Sequence, residues 1–263
     1  MPIYHSLGKI PSKRHTQFYK PDGTLYQEEL FGTIGFEGMS SLLYHEHAPT
    51  QIKKINKSID VTPKVAIEKN ITSLKLIGFD ILPKNDFLDS RQTLLVNKSV
   101  HIGLAAPKKS METYFYKNSD ADEMLFIHKG KGNLKTLLGN ISFEYGDYLI
   151  IPRGMIYQIE FESEDNRILY AESFDPIYTP KKYRNWFGQL TEHSPFCERD
   201  YKLPKNLVSF NKKGDFIVKI KKQGMLHEII YGTHPFDVIG WDGYNFPYGF
   251  SIHNFEPITG RIH

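Results

Sequence analysis

One stretch of this chain, residues 116–154, constrains its fold more than any other. Six residues separate Glu123 from Gly130, and five separate Gly146 from Pro152. Glycine and proline at such intervals mark tight turns, and the runs between them are short and rich in apolar and β-branched residues. The stretch therefore predicts a core of short β-strands joined by tight turns.

This spacing resembles that of a cupin, a jelly-roll β-barrel or sandwich. A metal-binding cupin has an H-x-H pair ahead of the glutamate and a further histidine after a Pro-x-Gly. Here Tyr116 and Asn118, or Lys117 and Ser119 with a shorter gap, take the H-x-H positions, and Tyr157 takes the last one. The spacing is kept, but the histidines are absent from it.

A transition-metal site needs three or four convergent nitrogen, oxygen or sulfur donors. Glu123 alone supplies too few, so we expect a metal-free barrel and assign no metal ligand or cofactor-binding residue in this chain. The predicted fold class is mainly β: a metal-free N-terminal cupin followed by the beginning of a second cupin.

Composition narrows the function classes. The net charge is +3, with basic and acidic residues interspersed, which argues against a nucleic-acid partner. The longest apolar runs are strand-sized, so no membrane span is predicted, and the N-terminus lacks the apolar segment of a secretory signal. Cys197 is the only cysteine, which excludes an internal disulfide and predicts a cytoplasmic protein.

Turn residues recur about every ten positions and divide the chain into short strands. The predicted strands are Leu42–His45, Ser73–Ile81, Thr93–Leu104, Thr113–Tyr116, Met124–His128, Gly132–Thr136, Ile141–Tyr145, Tyr148–Ile151, Ile156–Phe161, Arg167–Ser173, Asp215–Lys222 and Met225–Tyr231. One helix is predicted over Pro180–Leu190, with Thr179 as its N-cap.

This pattern divides the chain into four segments. Residues 1–70 are predicted to form an N-terminal arm with short strands, and residues 71–175 the metal-free barrel. Residues 176–225 are predicted to be a linker with a short helix. Residues 226–263 are predicted to start a truncated C-terminal catalytic cupin.

Two histidine motifs invite a metal interpretation. His45 and His47 form an H-x-H, but no glutamate follows at the required distance, so a surface or interface role is favoured. His227 begins an H-E-x-x-H pattern, but Tyr231 replaces the second histidine and the segment has the pattern of a strand, which excludes a zinc-protease helix.

The last thirty residues are crowded with aromatic side chains, and such a cluster needs a surface to bury against. Its members are Phe236, Trp241, Tyr244, Phe246, Tyr248, Phe250 and Phe255. We hypothesise that the chain is a fragment that ends at the entrance to a second domain. The alternative is a compact natural C-terminus.

Several dispersed signatures resemble homogentisate 1,2-dioxygenase, in its shorter bacterial branch. They are LYQEELFGTIGF with SSLLYH, then HIGLAAPKKSMETYFYKNSDADEMLFIHKGKGNL and DYLIIPRGMIYQIEFE, and finally HPFDVIGWDGYNFPY leading to HNFEPITGRIH. The resemblance implies an Fe(II)-dependent enzyme of phenylalanine and tyrosine catabolism that converts homogentisate and O2 to maleylacetoacetate. It also implies trimers or hexamers with an N-terminal arm at the contacts.

The resemblance places the iron ligands, two histidines and a glutamate, beyond the last residue given. It assigns one catalytic role here, to His263, which would orient the substrate and accept its proton. The chain alone is therefore expected to be inactive. Two other functions stay open: a metal-free cupin that binds or assembles without catalysis, and a cupin isomerase or sugar-binding protein that uses Glu123 without a metal.

Overall fold

The computed structural model describes residues 3–67, 70 and 72–256. These residues are mainly β-strand, as predicted, and the single α-helix among them, α1, covers only Phe87–Ser90. The strands are β1 (His5–Gly8), β2 (Gln27–Gly32), β3 (Ser40–His45), β4 (Ile52–Asp60), β5 (Gln92–Val96), β6 (Val100–Ala105), β7 (Phe115–Asn118), β8 (Asp122–Lys129), β9 (Gly132–Thr136), β10 (Gly139–Phe143), β11 (Asp147–Ile151), β12 (Ile156–Phe161), β13 (Arg167–Ser173), β14 (Tyr201–Lys202), β15 (Lys213–Lys222), β16 (Met225–Thr233), β17 (Val238–Gly243) and β18 (Tyr248–Ser251).

The strands form three sheets. Sheet I has the order β1-β17-β3-β2, sheet II the order β10-β9-β12-β7-β15-β16-β4, and sheet III the order β14-β18-β11-β8-β13-β6-β5. Neighbouring strands in this part of the chain run antiparallel, except that β15 runs parallel to β7. The sheets are not closed into a barrel. The fold is therefore a cupin-like sandwich, as predicted, with a third sheet added.

Sheets II and III pack face to face. Apolar side chains from both meet between them, including Leu134 and Ile159 from sheet II and Leu125, Ile127 and Leu149 from sheet III, each at most 1% exposed. Removing this area from water stabilises the fold at roughly 25 cal/mol per Å². The motif region thus supplies about a third of the buried core, because its alternating residues face inward along adjacent strands.

The motif glycines serve the turns. Gly130 has a φ of +113°, and a Cβ there would lie 2.2 Å from Asn166 Oδ1. Gly146 has a φ of +87°, and its N–H donates to the carbonyl of Ile127 at 2.8 Å. Both conformations favour glycine. The spacing therefore serves the turns of the fold and does not depend on metal ligands.

Sheet I covers the other face of sheet II. Trp241 on β17 is fully buried, and its Nε1–H donates to the carbonyl of Leu138 in the β9–β10 turn at 2.9 Å. Phe236, just before β17, packs edge-on against Phe115 of β7 with ring centroids 4.9 Å apart. The N-terminal strands are thus part of the same body as the sandwich.

One edge of sheet II is open. Its last strand, β4, is nine residues long and exposed along its whole length. Its pairing with β16 shifts register twice, once between Glu228 and Ile229 and again between Ile230 and Tyr231. Three isoleucines on this strand, Ile52, Ile55 and Ile59, are at least half exposed.

Three predicted elements are wrong. The single strand predicted over Thr93–Leu104 is instead a hairpin, in which β5 and β6 are joined by residues 97–99 and pair antiparallel. Instead of a helix over Pro180–Leu190, only Lys181–Tyr183 forms a 3₁₀ turn, and Arg184 returns to extended geometry. Instead of a strand over Ser73–Ile81, Gly78–Asp80 forms a 3₁₀ turn among exposed residues. In these last two segments apolar residues suggested periodic structure, with Tyr183, Trp186 and Phe187 at i, i+3 and i+4 spacing, but the described part of the chain places no surface over most of them. No helix in the described part of the chain is long and apolar enough to cross a membrane.

The predicted segment boundaries do not match the sheets. The supposed linker 176–225 contributes β14 to sheet III and β15 to the middle of sheet II. The segment predicted to start a second cupin, from residue 226, contributes β16, β17 and β18 to sheets II, I and III. These strands complete the first body because their partners lie in the N-terminal and motif regions. Strands on both sides of residue 226 thus belong to the same sheets, and the division of the chain into segments stays a prediction.

The C-terminal aromatic cluster is largely buried within this body. Phe236, Trp241, Phe246 and Tyr248 are at most 8% exposed, whereas Tyr244 and Phe255 are 43% and 40% exposed. The surface that this cluster was predicted to need is therefore supplied largely by sheets I and III of the same body.

The two tryptophans offer a test of the packing. Replacing buried Trp241 with Ala should lower the free energy of unfolding by about 3–5 kcal/mol, because a cavity opens and the Leu138 carbonyl loses its donor. Replacing Trp186, which is 102% exposed, should change it by less than about 0.5 kcal/mol. Urea unfolding followed by circular dichroism measures both. Equal losses in the two variants would contradict this packing.

Candidate functional site: an ion-pair cluster at the cupin metal position

The residues at the degenerate metal positions converge between sheets II and III. Tyr116, Asn118 and Tyr157 belong to sheet II, and Glu123 belongs to sheet III; all four are at most 3% exposed. Of the two alignments left open by the sequence, Tyr116 and Asn118 therefore face the glutamate. Lys117 lies on the opposite face, in a small cavity beside Glu29.

Glu123 is fully engaged. The Tyr157 hydroxyl donates to its Oε2 at 2.8 Å, and Arg91 Nη1 donates to its Oε1 at 2.8 Å. Arg91 stands immediately before β5, and its guanidinium lies over the Tyr170 ring at 4.1 Å from the centroid. No sequence motif pointed to Arg91.

A second carboxylate sits directly across the strand from the first. Glu172 on β13 pairs in register with Glu123 on β8. Like charges placed opposite each other destabilise a sheet unless a cation offsets them. Arg91 does this here, because its Nη2 lies 2.9 Å from Glu172 Oε1 while its Nη1 bonds Glu123.

Lysine and amide donors complete the cluster from sheet II. Lys221 Nζ donates to both oxygens of Glu172 at 2.6 Å, and Asn118 Nδ2 donates to Oε1 at 2.8 Å. His101 Nδ1 lies 3.5 Å from Glu172 Oε2 and makes no hydrogen bond among the described residues. Two carboxylates are thus matched by two cations. We call Arg91, Glu123, Tyr157, Glu172 and Lys221 the core ion cluster.

The charges of the core ion cluster are held by their neighbours. Burial acts to raise the pKa of Glu172, but Arg91 and Lys221 lower it to about 2. Burial acts to lower the pKa of Arg91, but Glu172 raises it well above its ordinary value. Burial also raises the pKa of Tyr116 and Tyr157 well above that of a free phenol, so both hydroxyls stay protonated.

This donor set does not fit a divalent metal. Both oxygens of Glu123 are already bonded, and the Asn118 amide bonds Glu172 through its nitrogen and two backbone N–H groups through its oxygen. A cation would also meet Arg91 at the position where a ligand is needed. Within the described residues no three His, Cys, Asp or Glu side chains form a group that could hold a metal ion.

A small cavity of about 170 Å³ borders the cluster. Arg91, Tyr116, Tyr170 and Lys221 line its polar side, and Leu226 is on its apolar side. The charged members of the core ion cluster are all paired, so the arrangement joins sheets II and III and offers no free acid, base or nucleophile of its own. The cluster is therefore a structural element at the positions that carry the metal ligands in a metal-binding cupin.

The H-x-H at residues 45–47 is not a surface motif. His45 is 4% exposed, and its Nδ1 and Nε2 lie 2.7 Å from Asp237 Oδ1 and 3.0 Å from Glu29 Oε2. Burial acts to lower the pKa of His45, but the hydrogen bonds to Asp237 and Glu29 raise it to about 9. The ring is thus an imidazolium that joins β2, β3 and the segment before β17.

The remaining candidates take no part in a described site. His227 hydrogen-bonds Ser58 on the neighbouring strand at 2.7 Å, in a β-ladder and not on a helix. Cys197 is a free, partly buried cysteine. His263, the residue assigned a catalytic role, lies outside the described residues.

Breaking the core ion cluster should be costly. Arg91→Met leaves two buried carboxylates facing each other and should lower the free energy of unfolding by about 3–5 kcal/mol. A control is Lys129→Ala, which breaks the half-exposed Lys129–Asp165 pair and should cost less than about 1 kcal/mol. Denaturant unfolding at neutral pH compares them. A loss below about 1 kcal/mol in Arg91→Met would show that the cluster does not hold the sandwich.

The His45 bridge predicts a pH dependence. Its folded pKa, about 9, lies above the unfolded value near 6.5, so its stabilisation is fully present below about pH 6.5 and is lost as the pH rises through about 9. Stability should fall by roughly 2–3 kcal/mol across this window. His45→Gln should flatten the profile, whereas His227→Gln should leave it unchanged. An unaltered slope in His45→Gln would contradict the assignment.

Comparison with known proteins identifies the family of this chain. A family model described as "Homogentisate 1,2-dioxygenase N-terminal" matches residues 22–252. A protein of Saccharolobus solfataricus named "Putative dioxygenase" is 38% identical over 263 residues, which are 100% of this chain and 67% of that protein.

Solved structures share smaller parts. A cupin-2 domain protein of Shewanella frigidimarina has a TM-score of 0.31 and 17% identity, and it covers 36% of this chain and 87% of its own. The cupin domain of Schizosaccharomyces pombe Cnp3 has a TM-score of 0.30 and 18% identity, with 32% and 64% covered. On the family match and the whole-chain relative, this chain belongs to the homogentisate 1,2-dioxygenase N-terminal family.

Proposed function

We propose that this chain is the N-terminal cupin of a homogentisate 1,2-dioxygenase, an enzyme that converts homogentisate and O2 to maleylacetoacetate. The observation that carries the proposal is the family match over residues 22–252, together with whole-chain similarity to a relative named as a dioxygenase. The relative is longer than this chain, which leaves room for a catalytic region outside the matched part.

The proposal assigns the Fe(II) ligands to residues beyond 263. The core ion cluster supports this, because Arg91 and Lys221 occupy the carboxylates that a metal would need. An open non-haem iron site lets substrate and O2 share one metal. In the same proposal His263 orients the substrate and accepts its proton, which is a task suited to histidine near neutral pH.

The role of this chain in such an enzyme is to support the catalytic region. Its core is filled by buried apolar side chains, and sheet I joins the N-terminal strands to the sandwich. We propose that the whole protein acts in the cytoplasm on a small aromatic substrate. We further propose that it assembles as trimers or hexamers through surfaces such as the N-terminal region.

One alternative keeps support. A metal-free cupin that binds or assembles without catalysis fits a core filled by apolar side chains. It also fits the absence of a free acid or base in the core ion cluster. The sugar-binding or isomerase alternative requires Glu123 to contact a ligand. Glu123 is 1% exposed and hydrogen-bonded by Arg91 and Tyr157, so it is not available for that role.

Two preparations test the proposal. The 263-residue chain should neither retain Fe(II) through gel filtration nor consume O2 with homogentisate. The protein isolated from its source should have a mass well above 30.5 kDa, carry iron and form maleylacetoacetate. Intact mass, metal analysis and O2 consumption are the measurements. A source protein of 30.5 kDa without turnover would instead favour the binding or assembly module.

A further inference from the structure

Two large aromatic side chains project from the end of one loop. Trp186 is 102% exposed and Phe187 is 90% exposed. We call residues 184–190 the aromatic tip. Scattered exposed apolar residues are ordinary, but two adjacent aromatics with almost their whole surface in water mark a site of contact with another surface.

The aromatic tip is held in one conformation. Asn185 Oδ1 accepts hydrogen bonds from the N–H groups of Phe187 at 2.9 Å and Gln189 at 3.1 Å. Arg184 and Leu190 form a β-bridge at the base, and Gly188 closes the turn with a φ of +85°. A loop that is already ordered loses little entropy on binding, and tryptophan is among the residue types most enriched at binding hot spots.

The described chain ends beside this loop. Tyr183, at the base of the tip, packs against Phe196 with ring centroids 6.5 Å apart, and Phe196 packs against Phe255 at 5.1 Å. The N–H of Glu256 donates to the carbonyl of Pro195 at 2.8 Å. Glu256, the last described residue, therefore lies next to the base of the tip.

The family comparison identifies the occupant of this surface. The matching model describes an N-terminal region and ends at residue 252, and the relative is longer than this chain. We propose that the aromatic tip anchors the region C-terminal to Glu256 in the full-length protein, with Trp186 and Phe187 buried against it. This inference rests on the proposed function. Lys181, Lys182 and Arg184 flank the aromatics, so the covering surface is expected to be apolar with an acidic rim.

Acrylamide quenching of tryptophan fluorescence tests the anchor. The 263-residue chain has two tryptophans, and Trp241 is fully buried, so the readily quenched emission belongs to Trp186. The difference between wild type and Trp186→Phe isolates that emission in each length of the protein. Its quenching constant should be several-fold lower in the full-length protein than in the 263-residue chain.

Limited proteolysis supplies a second readout. In the full-length protein, Trp186→Ala with Phe187→Ala should increase cleavage after residue 256 several-fold, because the C-terminal region loses its anchor. Phe36→Ala is the matched control, since Phe36 is 94% exposed on a different loop, and it should leave cleavage unchanged. An equal increase in Phe36→Ala would overturn a specific anchor.

The outcomes separate this inference from the proposed function. Equal quenching of Trp186 in both lengths, with homogentisate turnover intact, overturns the anchor alone. Protection of Trp186 that grows with concentration of the 263-residue chain assigns the tip to a second copy and also overturns it. A source protein of 30.5 kDa overturns both, because it would contain no further region to anchor.

Discussion

The sandwich depends on the two ion pairs made by the guanidinium of Arg91. The guanidinium holds together two glutamates, Glu123 and Glu172, that the register of β8 and β13 places directly opposite each other. Glu123 stands at the position of the cupin glutamate ligand, and Glu172 is buried beside it. A metal-binding cupin places a metal ion among histidines and one glutamate, whereas here a guanidinium lies between two carboxylates and has no open coordination position. The cluster therefore holds the strands together by charge and leaves no open position for metal chemistry.

The cluster also explains why the two sheets stay in one arrangement. Lys221 and Asn118 from sheet II bond Glu172 from sheet III, and Tyr157 bonds Glu123 across the same gap. A buried charge that loses its partner is costly, so a shift of one sheet against the other would strand several charges at once. Apolar contacts are less specific, since they tolerate sliding. The ion pairs thus specify the position of one sheet relative to the other, and the apolar core stabilises that arrangement.

The sequence predicted the parts of this structure that depend on local geometry. Gly130 and Gly146 revealed tight turns, and Glu123 marked the centre of the sandwich, because turn conformation and motif spacing are properties of neighbouring residues. Arg91 and Lys221 escaped prediction, since they reach their glutamates across 32 and 49 positions of sequence. The aromatic residues near the C-terminus misled for the same reason: burial of Trp241 and Phe246 is decided by strands near the other end of the chain. Pro180–Leu190 had helical spacing but no apolar surface in the described chain to pack on.

The open edge of sheet II has a consequence for the behaviour of the chain in solution. An exposed nine-residue strand presents unpaired backbone groups to any other extended segment. On β4 the isoleucines are interspersed with Lys53, Lys54 and Lys57, and two register shifts bend the pairing with its neighbour. Charged side chains and bulges are the devices by which natural edge strands resist stacking into fibrils. The lysines of β4 thus oppose aggregation, because they keep hydrated an edge that could otherwise pair with a strand of another chain.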